Sequence, residues 1–326
     1  MTEQKDEDGS GMMPEERGDQ AWRSQDISTR YFEPTYSGAL SFLRRPYCDD
    51  PSQLDVMVTG IPFDGATTYR SGCRLGPRAI RAASVQLAEL PPFPFGFEPF
   101  SRLKVGDGGD VVLNPHSPET IETAIIRHAR AIISTGCKML SFGGDHFVSY
   151  PLLKAHAETY GPVALIHFDA HSDTWDSFGS LDHGTMFLRA CNEGIIDISH
   201  SIQLGLRTHN DRDLGFEVVT SPELHRRPID DVIAQIHDRV GNRPCYVSFD
   251  IDVLDPAFAP GTGTPVSGGL ATWQALELVR GLAGINMVGM DVVEVSPAYD
   301  HAEITALAAA TVAHDWLCVL ASAEAG

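Results

Sequence analysis

The sequence predicts an α/β fold in which helices cover both faces of a mostly parallel sheet. Strand-like segments alternate with helix-like segments along almost the whole chain, and this alternation is typical of parallel sheets. The 326 residues, 43% of them hydrophobic, suit one large domain or two ordinary ones. No domain boundary is visible within 35–320, so we expect a single folded domain.

The predicted elements follow one another in chain order. Ser117 and Pro118 mark a helix start, because a capping side chain and a first-turn proline both favour a helix N-terminus. Gly106–Asp110 is predicted to be a turn. The predicted strands are 54–59, 103–105, 137–142, 163–168, 201–205, 216–219, 246–249 and 286–293. The predicted helices follow Ser117, begin near Pro151, and span 229–240, 272–281 and 304–320.

The charge distribution limits the classes of partner. The formal net charge is −20, and seven acidic residues lie among the first twenty. We expect residues 1–30 to form an acidic, flexible tail ahead of a folded domain at 31–326. Nucleic acid and membranes are disfavoured as partners, and no apolar run appears long enough for a transmembrane helix. A small cationic substrate is compatible with this charge.

The cysteines and the N-terminus indicate a compartment. The six cysteines are scattered and include no C-x-x-C pair, and the N-terminal stretch lacks the apolar run of a signal peptide. A chain of this length does not need disulfides. Reduced thiols and a cytoplasmic location are therefore expected.

Two carboxylate-rich motifs follow predicted strands. Asp169, His171 and Asp173 come directly after the strand at 163–168, and Asp250 and Asp252 follow the strand at 246–249. Side chains alternate faces in an extended chain, so the members of each motif can point the same way. Burying this charge beside apolar strands is costly without a counter-charge, which two divalent cations would supply. Each motif alone is also compatible with a surface loop or turn.

A third motif favours the metal interpretation. Gly143-Gly144-Asp145-His146 follows the strand at 137–142, and its two glycines allow a tight turn and close approach of the backbone. Because the carboxyl ends of parallel strands share one edge, His146 should lie beside the carboxylates. Four carboxylates balance two divalent cations, and a carboxylate-rich site with some imidazole suits Mn²⁺. Two such ions about 3.5–4 Å apart can hold a bridging water and lower its pKa toward neutrality, which predicts a two-metal hydrolase.

These motifs resemble the metal motifs of the ureohydrolase family, which contains arginases, agmatinases and other guanidino-compound hydrolases. The resemblance covers residues 54–320 and extends to the segments 69–72, 76–80, 182–187, 260–265 and 291–297. It implies a single-domain three-layer α/β/α sandwich, a catalytic domain at 31–326, two Mn²⁺ ions, and a homotrimer or homohexamer. The segments around 182–187 and Glu294 are most similar to those of bacterial agmatinases.

The resemblance also implies a role for each candidate site residue. The ligands implied for one ion are His146, Asp169, Asp173 and Asp250. Those implied for the other are Asp169, His171, Asp250 and Asp252, with the two shared aspartates as bridges and a bridging hydroxide as the nucleophile. His183 would act in proton transfer or substrate contact, and Glu294 would receive the guanidinium. Asp173 or His183 would pass a proton to the leaving amine.

The interval at 174–182 bears on the choice of substrate. It is shorter, more acidic and more aromatic than the corresponding arginase segment, which disfavours arginine and favours agmatine, hydrolysed to urea and putrescine. Asp176 is compatible with attraction of a distal ammonium and with a solvated loop position. Guanidinobutyrate, guanidinopropionate and guanidine are alternatives, with Arg74 and Arg207 available to a carboxylate, and so is a non-catalytic homologue. A phosphoesterase is disfavoured, because the sequence has no phosphate-cradling loop.

Overall fold

A computed structural model of the chain describes residues 35–89, 91–176, 182–212 and 214–323. The predicted acidic tail at 1–30 lies outside these residues. The strands within them are β1 (Val56–Gly60), β2 (Val105–Asp110), β3 (Lys138–Phe142), β4 (Ala164–Phe168), β5 (Ile202–Leu206), β6 (Glu217–Thr220), β7 (Cys245–Asp250) and β8 (Met287–Val293). The α-helices are α1 (Gly76–Ser84), α2 (Ile121–Ile133), α3 (Ser149–Tyr160), α4 (Met186–Asn192), α5 (Ser221–Leu224), α6 (Ile229–Val240), α7 (Thr272–Arg280) and α8 (Ile304–Ala323).

The strands form one sheet in the order β2-β1-β3-β8-β7-β4-β5-β6, and every strand pairing in it is parallel. The predicted α/β fold with a mostly parallel sheet is therefore confirmed. Every residue of β4, β7 and β8, which lie together near the middle of the sheet, is buried. Ligands bind beyond the carboxyl ends of strands in such sheets, so this edge is the expected place for a site.

Helices form a layer on each face of the sheet, as the three-layer prediction requires. Successive strand residues point to opposite faces. Val56 and Val58 pack into a core that also contains residues of α1, α6, α7 and α8. Met57, between them, packs into a second core with residues of α2, α3 and α4. The sheet is thus the middle layer of an α/β/α sandwich.

Helix α8 corrects one expectation. Among the described residues it is the helix that is long and apolar enough to cross a membrane, with a mean hydropathy of 1.6 over its best window. However, 83% of that window is buried inside the protein, where it packs against α1 and α7. Its one carboxylate, Asp315, is compensated inside the protein by Arg280 at 2.7 Å. The length and apolar composition of α8 are therefore those of a core helix that packs inside the protein.

One further local prediction was wrong, and another was confirmed in part. Gly106–Asp110 forms strand β2 rather than a turn, because it pairs with β1 and because Arg81 binds Asp107 through two hydrogen bonds of 2.8 and 2.9 Å. These tertiary contacts outweigh the low strand propensity of glycine and aspartate. The predicted helix start at Ser117 and Pro118 is present as a 3₁₀ turn, Pro118–Thr120, which leads directly into α2 at Ile121, although Ser117 makes no side-chain capping hydrogen bond. Helix α1 was not predicted, although Pro77 in its first turn is a start signal.

Candidate active site

The predicted site residues lie at the carboxyl ends of four adjacent strands, β3, β8, β7 and β4. His146 follows β3, Asp169 follows β4, Asp250 ends β7 and Glu294 follows β8. The parallel topology therefore joins motifs that are far apart in the chain. The backbone N–H of His146, for example, donates to Oε1 of Glu294 at 2.9 Å across 148 positions.

The first cluster surrounds the imidazole of His146. Its Nδ1 lies 2.8 Å from Oδ2 of Asp173 and 3.1 Å from Oδ2 of both Asp169 and Asp250. None of these contacts has hydrogen-bond geometry, so Nδ1 is a buried nitrogen without a hydrogen-bond partner. Its other nitrogen, Nε2, lies 2.8 Å from Oγ of Ser248. An imidazole lone pair that faces three carboxylate oxygens is the arrangement a divalent cation requires.

The second cluster surrounds His171. Its Nδ1 lies 3.0 Å from Oδ2 of Asp252 and 3.2 Å from Oδ1 of Asp169. Asp169 therefore presents one oxygen to each imidazole, which suits a carboxylate shared between two ions. Asp250 differs, because its Oδ1 accepts from the backbone N–H of Asp252 at 2.8 Å while its Oδ2 faces His146. His171, Asp169 and Asp252 form one group of closely spaced donor atoms, and His146, Asp169 and Asp173 belong to another.

The electrostatics of these clusters demand positive charge. Burial raises the pKa of Asp250 and Asp252, and the neighbouring carboxylates raise it further. Burial would also raise the pKa of Asp169, but the surrounding imidazoles of His167 and His146 hold it well below its usual range. Burial lowers the pKa of His171, yet Asp252 and Asp169 outweigh burial and raise it to about 12. Protons or metal ions must therefore compensate the carboxylates, and the donor set fits metal ions.

Two of the candidate residues have an unusual backbone conformation. Asp173 has a φ of 52° and Glu294 a φ of 63°, in the left-handed region that residues with a Cβ seldom adopt. Such positions cost about 1–3 kcal/mol each and concentrate at functional sites. Both backbones are held by neighbours, since the N–H of Glu294 donates to the carbonyl of Gly144 at 2.8 Å and the carbonyl of Asp173 accepts from the N–H of Phe187 at 3.1 Å.

His167 is a site residue that the sequence analysis did not identify. It is fully buried on β4, and its Nε2 lies 2.8 Å from Oδ2 of Asp169. The amide of Gln203 donates to His167 Nδ1 at 2.9 Å and to the carbonyl of Ser172 at 2.8 Å. The proton of His167 is therefore on Nε2, where it orients Asp169. The sequence does carry a signal for His167, which lies two positions before Asp169, because residues two apart on a strand point to the same face.

His183 and Glu294 form a buried pair beside the clusters. Nδ1 of His183 lies 2.8 Å from Oε1 of Glu294. Burial lowers the pKa of His183, but the Glu294 carboxylate outweighs burial and raises it to about 9. Oε1 of Glu294 thus has two donors, whereas Oε2 is buried and has none. The free oxygen is available to a donor on a bound molecule.

The loop after β1 holds His183 in place. Oδ2 of Asp145 accepts from the backbone N–H of Ala66 at 2.7 Å, and the carbonyl of Ala66 accepts from the N–H of His183 at 3.3 Å. The predicted close approach at the glycine pair is present, because a Cβ at Gly144 would lie 1.5 Å from the carbonyl oxygen of Phe63. The glycine therefore lets this loop reach the site.

A cavity of about 280 Å³ is lined by His183 and by His171, Asp173 and Asp250 of the two clusters, and is called here the reaction cavity. Its size suits a small molecule. Its described lining consists of Thr68, His171, Asp173, Trp175, Asp176, Asp182, His183, Gly184, Thr185, Asp250 and Thr264. Of the interval at 174–182, residues 177–181 lie outside the described part of the chain. Asp176 forms an ion pair with Arg212 on the protein surface.

Comparisons with known proteins agree with this geometry. The family described as the Arginase family matches residues 54–318. The agmatinase of Chromobacterium violaceum is 57% identical over 306 residues, which cover 93% of this chain and 95% of the relative. The agmatinase of Photorhabdus laumondii is 52% identical, covering 88% of this chain and 94% of the relative.

Solved structures give the same result at the level of the fold. A hypothetical agmatinase from Burkholderia thailandensis superposes with a TM-score of 0.91 and 54% identity, covering 95% of this chain and 99% of that one. Proclavaminate amidino hydrolase from Streptomyces clavuligerus gives a TM-score of 0.86 and 40% identity, with coverage of 89% and 100%. On these grounds, together with the clustered His and Asp side chains, the chain belongs to the arginase family and is an amidinohydrolase.

Proposed function

We propose that this enzyme hydrolyses agmatine to urea and putrescine with two Mn²⁺ ions bound at the site. The observation that carries the proposal is the position of His146 Nδ1, which is buried without a hydrogen-bond partner within 3.1 Å of three carboxylate oxygens. The first ion would be held by His146, Asp169, Asp173 and Asp250. The second would be held by Asp169, His171, Asp250 and Asp252.

The proposed ligands favour manganese over metals that prefer thiolates. They are four carboxylates and two imidazoles, and no cysteine belongs to the groups of closely spaced metal-binding atoms among the described residues. Oxygen-rich sites of this kind suit Mn²⁺, whereas thiolates select zinc or copper. When bound, a pair of such ions supplies a water activated as a nucleophile at neutral pH.

Glu294 receives the guanidinium group of the substrate. Its Oε1 already accepts from the His146 N–H and faces His183 Nδ1, while its buried Oε2 has no donor. An unpaired buried carboxylate oxygen is costly. A planar guanidinium satisfies it with an N–H, and its positive charge compensates the buried negative charge.

Proton transfer to the leaving amine falls to His183 and Asp173. The reaction needs an acid, because an amide anion is too basic to leave unprotonated. Asp173 lies at the metal cluster, 2.8 Å from His146 Nδ1. His183 lines the reaction cavity, and its pKa of about 9 lets it carry a proton at neutral pH. Asp173 would take a proton from the attacking water, and His183 would supply one to the leaving amine from the cavity side.

The surroundings of the cavity favour agmatine over substrates with a terminal carboxylate. Among the described residues, the lining contains no Lys or Arg. Arg74 forms an ion pair with Asp64. Arg207 donates to backbone carbonyls, including that of Val266 at 2.8 Å. The two arginines considered for a carboxylate are therefore engaged elsewhere, and the relatives named agmatinase support the same substrate.

The family resemblance supports a homotrimer or homohexamer in the cytoplasm. All six cysteines are free, which agrees with a reducing compartment. Sedimentation equilibrium of the full chain with Mn²⁺ tests the assembly, and a monomer or dimer would contradict it.

Urea release tests the proposed reaction. The purified enzyme is treated with a chelator and assayed with and without MnCl₂ on agmatine, arginine, 4-guanidinobutyrate, 3-guanidinopropionate and guanidine, and bound metal is counted by mass spectrometry. We expect agmatine to give the highest kcat/KM, with two Mn²⁺ per chain. A rival substrate with a higher kcat/KM would overturn the choice of agmatine. Full activity without manganese would overturn the choice of metal.

A further inference from the structure

Asp182 and Trp175 both line the reaction cavity, and a Cβ at Gly184 would lie 3.4 Å from the Trp175 ring and 3.5 Å from Oδ1 of Asp182. Both residues form a hydrogen bond with Gly184. The N–H of Trp175 donates to the carbonyl of Gly184 at 3.2 Å, and the N–H of Gly184 donates to Oδ1 of Asp182 at 2.8 Å. The Trp175 ring also contacts the ring of His171, with centroids 6.1 Å apart. This wall of the cavity therefore reaches the imidazole of the second cluster.

The acidic side chains of the cavity differ in what compensates them. Asp173 and Asp250 belong to the proposed metal site. Asp176 already pairs with Arg212. Asp182 forms no ion pair with any residue that the structure describes, and its Oδ1 accepts a hydrogen bond from the N–H of Gly184. It is thus the cavity carboxylate whose charge is left for a ligand.

We infer that Asp182, with the ring of Trp175 beside it, binds the ammonium group at the far end of the substrate. This inference rests on the proposed function, because it requires a guanidino substrate with a second cation. A carboxylate binds an ammonium through a charge-assisted hydrogen bond, and an indole face attracts the same cation. Asp182 would also repel a substrate that ends in a carboxylate, which separates agmatine from 4-guanidinobutyrate and from arginine.

The alternative is that Asp182 only shapes the turn before α4. An aspartate that accepts from the N–H two residues on is common in turns, and asparagine makes the same bond. Asp182→Asn therefore keeps the turn and removes the charge. Asp176→Asn is the matched control, because it removes a carboxylate of the same cavity that is already paired.

The experiment compares two substrates in the Mn²⁺-loaded enzyme. Agmatine carries the distal ammonium, and 1-butylguanidine has the guanidinium and the chain without it. Asp182→Asn should lower kcat/KM for agmatine by about 10- to 100-fold, mostly through KM, because a charged hydrogen bond is lost from substrate and transition state alike. For 1-butylguanidine, kcat/KM should change less than about twofold, and so should the inhibition constant if this compound is not turned over. Activity on 4-guanidinobutyrate should rise relative to agmatine.

Each other outcome overturns the inference. An equal loss with both substrates would make Asp182 a structural residue. No loss with agmatine would show that its charge is not used, and a loss confined to Asp176→Asn would assign the ammonium to that residue. Failure of the proposed function is distinct, because the unsubstituted enzyme would then prefer a different guanidino compound.

Discussion

Thr68 presents both a hydrogen-bond donor and a hydrogen-bond acceptor to the same nitrogen of His183. Its backbone N–H lies 3.0 Å from Nε2 of His183, and its Oγ1 lies 2.7 Å from that atom. The N–H is a partner for the neutral ring, and the hydroxyl can accept from the protonated ring. His183 can therefore gain or lose a proton at Nε2 without losing a partner, as a proton-transfer residue requires.

Replacing Thr68 by valine should lower the pKa of His183. The substitution removes the acceptor for the protonated ring and keeps the backbone donor for the neutral ring. Loss of one hydrogen bond to a charged group corresponds to a fall of about one pKa unit from the value near 9. We expect the alkaline limb of the kcat/KM profile to move down by about one pH unit.

The adjacent threonine provides the control for this shift. Oγ1 of Thr67 donates to the carbonyl of Asp64 at 3.1 Å, so Thr67→Val should leave the alkaline limb in place. An unchanged profile in Thr68→Val would show that the hydroxyl does not stabilise the protonated ring.

Replacing Asp250 by asparagine should remove metal binding without unfolding the protein. Burial and Asp252 raise the pKa of Asp250, so loss of its charge relieves repulsion in the metal-free state. A ligand bound only to the folded state raises the unfolding temperature. Added Mn²⁺ should therefore raise it in the original enzyme and not in Asp250→Asn, whose urea release should fall at least about 100-fold.

Asp211→Asn, a substitution of an exposed carboxylate, serves as the control for metal binding and should behave as the original enzyme. Two Mn²⁺ per chain in Asp250→Asn would contradict the ligand assignment.

The positions of the main site residues could be predicted because they depend on topology. Asp169 and Asp250 follow apolar strands, and the carboxyl ends of parallel strands meet at one edge of the sheet. His146 was placed by the same rule, with the glycine pair as the local signal. Few contacts need to be known for such a prediction, since the strand ends alone define the site.

Residues whose roles depend on loop contacts could not be predicted. Thr68 reaches His183 across 115 positions through an irregular loop, and no periodicity records that contact. Asp176 and Asp182 look alike in sequence, yet one pairs with Arg212 and the other does not. The prediction of a turn at Gly106–Asp110 failed for a related reason, because the tertiary contact between Arg81 and Asp107 stabilises strand β2 there.

Replacing Gly263 by alanine should block the guanidinium site while leaving metal binding intact. A Cβ at this position would lie 3.2 Å from Oε2 of Glu294 and 3.0 Å from the carbonyl oxygen of Arg70. The methyl group would occupy space beside the oxygen that receives the substrate. We expect kcat/KM to fall about 10-fold or more for every guanidino substrate, 1-butylguanidine included, because a misplaced substrate loses its alignment.

Ser267→Ala, an exposed position in the same loop, is the control for Gly263→Ala. The number of bound Mn²⁺ ions should remain two in both variants. Unchanged activity in Gly263→Ala would show that the guanidinium does not bind beside Oε2, and a loss of metal would show that the loop itself had moved.

The free energy of unfolding should fall as the pH drops below 6.5, and two buried histidines away from the site contribute to this fall. Burial lowers the pKa of His156 to about 4, and it lowers that of His314, with a smaller contribution from Arg45, to about 4. A histidine with a depressed folded pKa contributes stability above its unfolded pKa near 6.5, and the contribution is lost as the pH falls toward 4. Each histidine should cost about 2 kcal/mol between pH 7 and pH 5.

His314→Phe isolates one of these contributions. The His314 ring stacks on Phe100 with centroids 6.1 Å apart and planes 6° apart, and its Nε2 has no hydrogen-bond partner. Phenylalanine keeps the stacked ring and cannot be protonated, so the unfolding temperature should depend less steeply on pH between 7 and 5. The comparison is made in chelator, which separates the histidines from metal release. His209 is exposed, so His209→Gln serves as the control and should follow the original enzyme. A slope in His314→Phe equal to that of the original enzyme would mean that His314 does not remain neutral in the folded protein.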